Sequence, residues 1–216
     1  AGKLPSVTVP MRVVELPLSS TEDRVAGTMD IEHAISTGKK RFEHGILAKA
    51  NGNILYVDEV NLLEDHIVDL LLDSAAMGTN YVEREGVSYK HPSKFMLVGT
   101  MNPEEGDLRP QFLDRFGLVV DVKGEKDPAK RYDIIRNRIA FERDPEGFAE
   151  RFAASDAELK ERIVAARAIV DKVEPSDAAL DLAVNISLHL GIEGHRADLV
   201  MIRAACARCA LDGRTG

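Results

Sequence analysis

The sequence contains no tryptophan, and aromatic residues make up only 5% of its 216 positions. A face that binds nucleic acid by stacking bases on rings is therefore not indicated. Cysteine occurs twice, at Cys206 and Cys209. A disulfide-stapled fold needs more, and this i,i+3 pair would need two further ligands to hold a metal. The pair reads as two small helix residues in a reducing compartment. No stretch approaches ~18 uninterrupted apolar residues, so no membrane span is expected. Positive charge is in deficit, with 28 basic against 36 acidic side chains and a net charge of −8. The basic field that draws in nucleic acid is missing from the chain as a whole, though a local patch is compatible with this total. Internal repeats and low-complexity tracts are absent. The opening Ala1-Gly2-Lys3-Leu4-Pro5 shows no initiator Met, signal peptide or transit-like stretch, as expected of a chain that starts part-way through a longer protein.

What is present is ordinary for a globular protein: 44% hydrophobic and 30% charged residues. At this length roughly 70% of the unfolded surface is buried on folding, enough for one or two cored domains. Arg12 to Leu16 reads as a short strand ended by Pro17. Ser19, Ser20 and Thr21 supply helix-cap chemistry. Gly27 to Gly45 is polar and glycine-punctuated, with a short helix near Ile31 to Ile35. Ile46 to Ala50 ends a helix at Asn51-Gly52.

The sharpest segment is Ile54-Leu55-Tyr56-Val57, apolar on both faces and followed by Asp58-Glu59. Such a run predicts a central strand of a parallel sheet. A helix follows from Leu62 to Met77, with Leu63, Ile67, Val68, Leu70, Leu71 and Leu72 crowding one side and Gly78 closing it. Asn80 to Tyr89 reads as a hairpin turning at Glu85-Gly86. Lys94 to Thr100 reads as a second buried strand, Pro110 as the first turn of a short helix, and Leu118-Val119-Val120 as a third strand. From Asp127 the pattern is helix after helix: Pro128 to Ala140, Asp156 to Val173, Pro175 to Leu190 and His195 to Leu211. An α/β half is thus followed by a helical half, with the boundary near Lys123 to Pro128.

In open parallel sheets, ligands bind beyond the carboxyl ends of the strands. Asp58-Glu59 lies at such an end. The Asp can hold Mg²⁺ and the Glu can polarise an attacking water, or the two can form a solvated strand terminus. Asn102, after the second strand, can orient that water or make an Asx turn before Pro103. In Leu108 to Gly117, an arginine can neutralise charge on a phosphate, or pair with Asp114. Arg196, in Gly194-His195-Arg196-Ala197-Asp198, can reach a phosphate or pair with Asp198.

The order of these signals resembles the AAA+ ATPases, and more narrowly the ATPase (I) subunit family of magnesium chelatase. The residues that carry the resemblance are Leu18 to Thr28, Leu55-Tyr56-Val57-Asp58-Glu59-Val60-Asn61-Leu62-Leu63, Val82 to Gly86 and Asn102 to Pro110. It is strong from Arg12 to about Asp121, looser through the helical half, and returns near Gly194. The fold it implies is α/β, an incomplete AAA+ parallel-sheet nucleotide-binding core over residues 1–125. An all-helical lid subdomain follows over 126–216. It implies ATP and Mg²⁺ as cofactors. Asp58 would be the Walker B acid on Mg²⁺, Glu59 the residue that activates water, and Asn102 sensor 1. Arg115 would be an arginine finger acting in the next subunit of a ring, with Arg109 as the alternative. Arg196 would be sensor 2. The segment from Ser19 to Gly45 and the hairpin Asn80 to Tyr89 match family insertions that transmit nucleotide state.

The implied activity is ATP hydrolysis in a homo-oligomeric ring that drives Mg²⁺ insertion into protoporphyrin IX. The implied partners are a D-type AAA+ subunit and a large porphyrin-binding subunit, with no nucleic acid and no membrane span. The implied location is a bacterial cytoplasm or a plastid stroma. A cobalt chelatase motor is the near alternative, and a non-catalytic AAA+ interaction module the alternative of another class. A DNA-dependent machine fits the acidic charge poorly. One departure stands out, the phosphate-binding loop G-x-x-x-x-G-K-[ST]. Gly2-Lys3 is followed by Leu4-Pro5, and Gly38-Lys39 by Lys40. Neither qualifies, so the chain by itself is expected to bind ATP poorly and not to turn it over. A gap is also expected in the sheet where the first strand would lie, exposing strand edges.

Overall fold

The computed structural model describes residues 9–30, 41–84, 87–113 and 115–215. The helix expected near Ile31 to Ile35, the turn at Glu85-Gly86, Asp114 and both Gly-Lys pairs lie outside these residues. The chain divides into two compact units, residues 1–116 and 117–216.

The first unit is built on three parallel strands, β1 (Val13–Glu15), β4 (Ile54–Val57) and β7 (Met96–Gly99), in the order β1-β4-β7. The Ile54 run is the central strand, as its pattern predicts. Leu55 and Val57 are fully buried on one face, while Ile54 and Tyr56 are only partly covered on the other. Between β1 and β4 come α1 (Glu22–Ala26), the antiparallel pair β2 (Gly27–Met29) and β3 (Phe42–His44), and α2 (Ile46–Ala50). Thr21 occupies the N-cap of α1, but its side chain makes no capping hydrogen bond.

After β4 the chain makes a 3-10 turn, Val60–Leu62, before α3 (Asp65–Met77). The helix therefore begins three residues later than its hydrophobic pattern predicts. Leu63 is buried all the same, from extended backbone. Ile67, Val68, Leu71 and Leu72 form the buried stripe of α3, and each such side chain stabilises the fold by about 1.5–3 kcal/mol. They meet Leu16, Val25, Leu47, Leu55, Val57, Leu108 and Phe112 in one core. Gly78 closes α3 with φ +63°, and its N–H donates to the Ser74 carbonyl at 2.9 Å. The left-handed backbone there favours glycine.

Strands β5 (Thr79–Arg84) and β6 (Val87–Pro92) form the expected antiparallel hairpin. Its Asn80 and His91 are buried. Asn80 Nδ2 donates to the Ala26 carbonyl at 2.9 Å and lies 3.0 Å from His91 Nε2. His91 Nδ1 lies 3.0 Å from the Pro92 carbonyl, which can only accept. Nδ1 therefore carries the ring proton and Nε2 accepts from Asn80. This network joins the hairpin to the end of α1. Phe42 stacks on Tyr89 at 4.0 Å between ring centroids and joins β3 to the same hairpin. A short helix, α4 (Pro110–Leu113), ends the unit, with Pro at its first turn as expected.

The second unit is helical: α5 (Pro128–Arg143), α6 (Pro145–Ile169), α7 (Asp177–His189) and α8 (Arg196–Leu211). Asp127, Asp144 and Ser176 cap α5, α6 and α7 by accepting from Ala129, Gly147 and Ala179 N–H groups. Helix α6 starts eleven residues before the expected Asp156, because Asp144 and Pro145 supply a cap and a favoured first residue. Pro175 precedes α7 rather than opening it. Helices α6 and α7 pack on α8, and Ala183 and Ala210 are buried. Cys206 and Cys209 lie half-buried on α8 without a disulfide.

The third strand expected at Leu118-Val119-Val120 is not formed. These residues are 75%, 70% and 80% exposed and pair with no strand among the described residues. A β-rich run becomes a strand only when a neighbour completes its ladder. Likewise, among the described residues β7 pairs with β4 alone, and its Met96 is 59% exposed. Among the described residues no helix is long and apolar enough to cross a membrane.

Candidate functional site

Strand register brings the first site residues together. Val57 pairs with Gly99 across β4 and β7, so the next residues, Asp58 and Thr100, emerge side by side at the carboxyl ends of both strands. The Thr100 N–H donates to the Val57 carbonyl at 3.0 Å, and the Val60 N–H to the Thr100 carbonyl at 2.8 Å. The Thr100 hydroxyl donates to Asp58 Oδ1 at 2.6 Å and accepts the Glu59 N–H at 3.0 Å. The Tyr56 hydroxyl also donates to Asp58 Oδ1, at 3.0 Å. Tyr56 and Asp58 sit two apart on one strand path, and that spacing puts both side chains on one face.

Glu59 has φ 53° and ψ 53°, the one positive-φ residue other than glycine among the described residues. An L-residue held there costs roughly 1–2 kcal/mol. The reversal buries Val60 under the sheet and leaves Asp58 exposed and Glu59 half-exposed.

These contacts set the local electrostatics. Asp58 is held below its ordinary value, first by the Thr100 hydroxyl and then by Tyr56, both of which bind its charged form. Tyr56 is pushed up because its proton is donated to that carboxylate. At neutral pH Asp58 is a carboxylate. Both hydroxyls occupy Oδ1, and no described residue donates to Oδ2.

Asn102 follows two residues after Thr100. Its Oδ1 accepts the Glu104 N–H at 3.2 Å, so the Asx turn before Pro103 is formed. The turn uses the acceptor end of the amide, and no described residue accepts from Nδ2. Asp58, Glu59 and the Thr100–Asn102 segment thus share one end of the sheet.

Two arginines of the first unit, Arg109 and Arg115, lie against α3. Its Asp65, Asp69 and Asp73 recur every four residues and so share one face. Arg109 pairs with Asp65. Arg115 donates to Asp73 at 2.6 Å and lies 3.9 Å from Asp69. Arg196 is exposed at the first position of α8 in the second unit. There His195 Nδ1 lies 3.4 Å from Asp198 Oδ2. Among the described residues no three His, Cys, Asp or Glu side chains form a ready metal cluster, so a cation at Asp58 needs ligands from elsewhere.

Sequence reasoning missed Thr100 and Tyr56 as partners of Asp58, and the acidic face of α3 as the seat of both arginines. The i,i+2 spacing of Tyr56 and Asp58 was a usable signal. The Thr100 contact depends on strand register, which no local pattern specifies.

Comparison with known proteins identifies the family of this α/β core and of the helical unit after it. Residues 4–116 match the AAA domain, dynein-related subfamily, and residues 180–216 match the AAA lid domain. The chain belongs to the AAA family. A magnesium-chelatase subunit ChlI homolog of Methanocaldococcus jannaschii is 55% identical over 99% of this chain and 59% of its own length. The magnesium-chelatase 38 kDa subunit of Acidiphilium rubrum is 52% identical over 100% of this chain and 62% of its own. A solved complex between subunits BchI and BchD of magnesium chelatase includes a similar chain, with TM-score 0.53 and 43% identity over 97% of this chain and 71% of that one. Within the AAA family, then, the relatives named here are magnesium-chelatase subunits. The chain spans about three-fifths of the length of the curated relatives named here.

Proposed function

We propose that the protein acts as the ATPase motor of a magnesium chelatase, hydrolysing ATP in a homo-oligomeric ring. In this reading it works with a D-type AAA+ subunit and a large porphyrin-binding subunit that inserts Mg²⁺, the substrate ion, into protoporphyrin IX. One observation supports it most: the Asp58-Glu59 pair at the carboxyl end of the central strand, tied through Thr100 to the strand that leads to Asn102.

The residues suit a nucleotide held with Mg²⁺. An ionised carboxylate with one oxygen unoccupied is a hard donor of the kind that ion takes, usually with waters and phosphates completing its shell. Asp58 would hold the ion, which when bound neutralises charge developing on the phosphates. Glu59 would accept a proton from the attacking water. Asn102 would use its Nδ2, left over from the Asx turn, to orient that water. Arg115 would reach the nucleotide of an adjacent subunit, and Arg196 its own. The phosphate-binding loop expected from the family has no match in this sequence, so nucleotide binding is to be tested in the full-length protein.

Glu59→Gln should retain ATP binding and lose turnover by about 10²-fold or more, measured by equilibrium binding and steady-state phosphate release. Full-length protein that binds no ATP, or Glu59→Gln protein that hydrolyses at the wild-type rate, would overturn the reading. In this reading the motor residues would contact neither tetrapyrrole nor inserted metal. A cobalt chelatase motor is therefore separated by assaying insertion of Co²⁺ against Mg²⁺ with the partner subunits.

A further inference from the structure

We infer that Thr100 is a positioning residue of this ATPase site: one hydroxyl fixes the Asp58 carboxylate and the Glu59 backbone together. The inference rests on the ATPase reading above for its consequence, but its geometry stands apart from it. The Thr100 hydroxyl has one proton and accepting lone pairs, and it uses both capacities. It accepts from the Glu59 N–H at 3.0 Å and donates to Asp58 Oδ1 at 2.6 Å. Its backbone is locked on both sides, through the Val57 carbonyl and the Val60 N–H.

Two consequences follow. Asp58 cannot rotate freely, because Oδ1 is taken by Thr100 and Tyr56. The carboxylate therefore presents Oδ2. Glu59 is held in its left-handed backbone by a hydrogen bond to its own N–H, which offsets a conformation that an L-residue otherwise disfavours. The direction in which the Glu59 side chain leaves the sheet depends on that backbone. A single hydroxyl thus sets the metal-facing oxygen of one residue and the exit direction of the next. Partners one layer out from a ligand typically change metal affinity or activity 10–100-fold when removed.

The test compares Thr100→Val, which keeps the shape and removes the hydroxyl, with Thr100→Ser, which keeps the hydroxyl, both in the full-length protein. Thr100→Val should lower kcat for ATP at least about tenfold, with ATP affinity in the absence of divalent cation unchanged. Mn²⁺ affinity, read by electron paramagnetic resonance with a non-hydrolysable ATP analogue, should fall by a similar factor. Thr100→Ser should restore both. Amide hydrogen exchange supplies a readout that needs no nucleotide: the Glu59 N–H should be protected in wild type and Thr100→Ser and exchange at least tenfold faster in Thr100→Val. Unchanged Glu59 exchange in Thr100→Val overturns the inference, as does a defect that Thr100→Ser fails to rescue. If wild type hydrolyses no ATP, the motor reading falls, and Glu59 exchange still decides whether Thr100 holds the two residues.

Discussion

The Arg115 guanidinium donates to Asp73 of α3 at 2.6 Å, within its own subunit. The residue expected to act on a neighbour's nucleotide is thus docked on a helix of its own chain. The pair is partly exposed, at 36% and 62%, and such pairs contribute about 0–1 kcal/mol. The proposed contact with a phosphate across a subunit boundary would have only that small contribution to displace, so docking on α3 is compatible with the proposed role.

A finger acting in the next subunit makes a complementation test possible. Arg115→Ala rings should lose about 10³-fold in turnover, and Glu59→Gln rings should be inactive. Mixing the two inactive proteins should recover activity, because an Arg115→Ala subunit keeps its own Glu59 and can borrow Arg115 from a Glu59→Gln neighbour. Phosphate release that stays at background in the mixture would mean that Arg115 does not act across subunits, and Arg115→Ala rings that turn over normally would move the finger role to Arg109.

Asn80→Ala should destabilise the first unit. It removes the buried donor to the Ala26 carbonyl and to His91 Nε2. Leaving those groups unpaired costs about 1–3 kcal/mol. Urea unfolding followed by circular dichroism reads this out. A loss under ~0.5 kcal/mol would mean that water replaces the amide at no cost.

Asp212 should titrate below its ordinary 3.8, because the Arg208 Nε donates to its Oδ2 at 3.2 Å, with Arg214 adding a weaker pull. The folded value is depressed, so the pair's small stabilisation is present above the unfolded pKa and disappears as pH falls through the folded one. A carbon-13 titration of the Asp212 carboxyl should show a midpoint under 3.8 that rises in Arg208→Ala. Identical midpoints in both proteins would remove Arg208 as the cause.

Several elements were legible in the order of residues. The continuous apolar run Ile54–Val57 forms the central strand, and the i,i+4 stripe of α3 forms the buried face of a helix, each as its pattern predicts. Gly78 announced its own cap. The Leu118–Val120 run misled, since β-propensity is realised only against a partner strand. Helix α6 starts at the Asp144-Pro145 cap signal rather than at Asp156, where the pattern alone puts it.

The chain's composition and local patterns were enough to establish an α/β core ahead of a helical unit, and the Asp58-Glu59 pair at a strand end. Local patterning determines these because burial and capping act over a few residues. The tertiary fold alone decided that Thr100 binds Asp58, that Arg115 docks on Asp73, and that Asn80 meets Ala26. Those contacts join residues 42, 42 and 54 positions apart. They come from strand register and helix packing, which are settled only when the whole core closes.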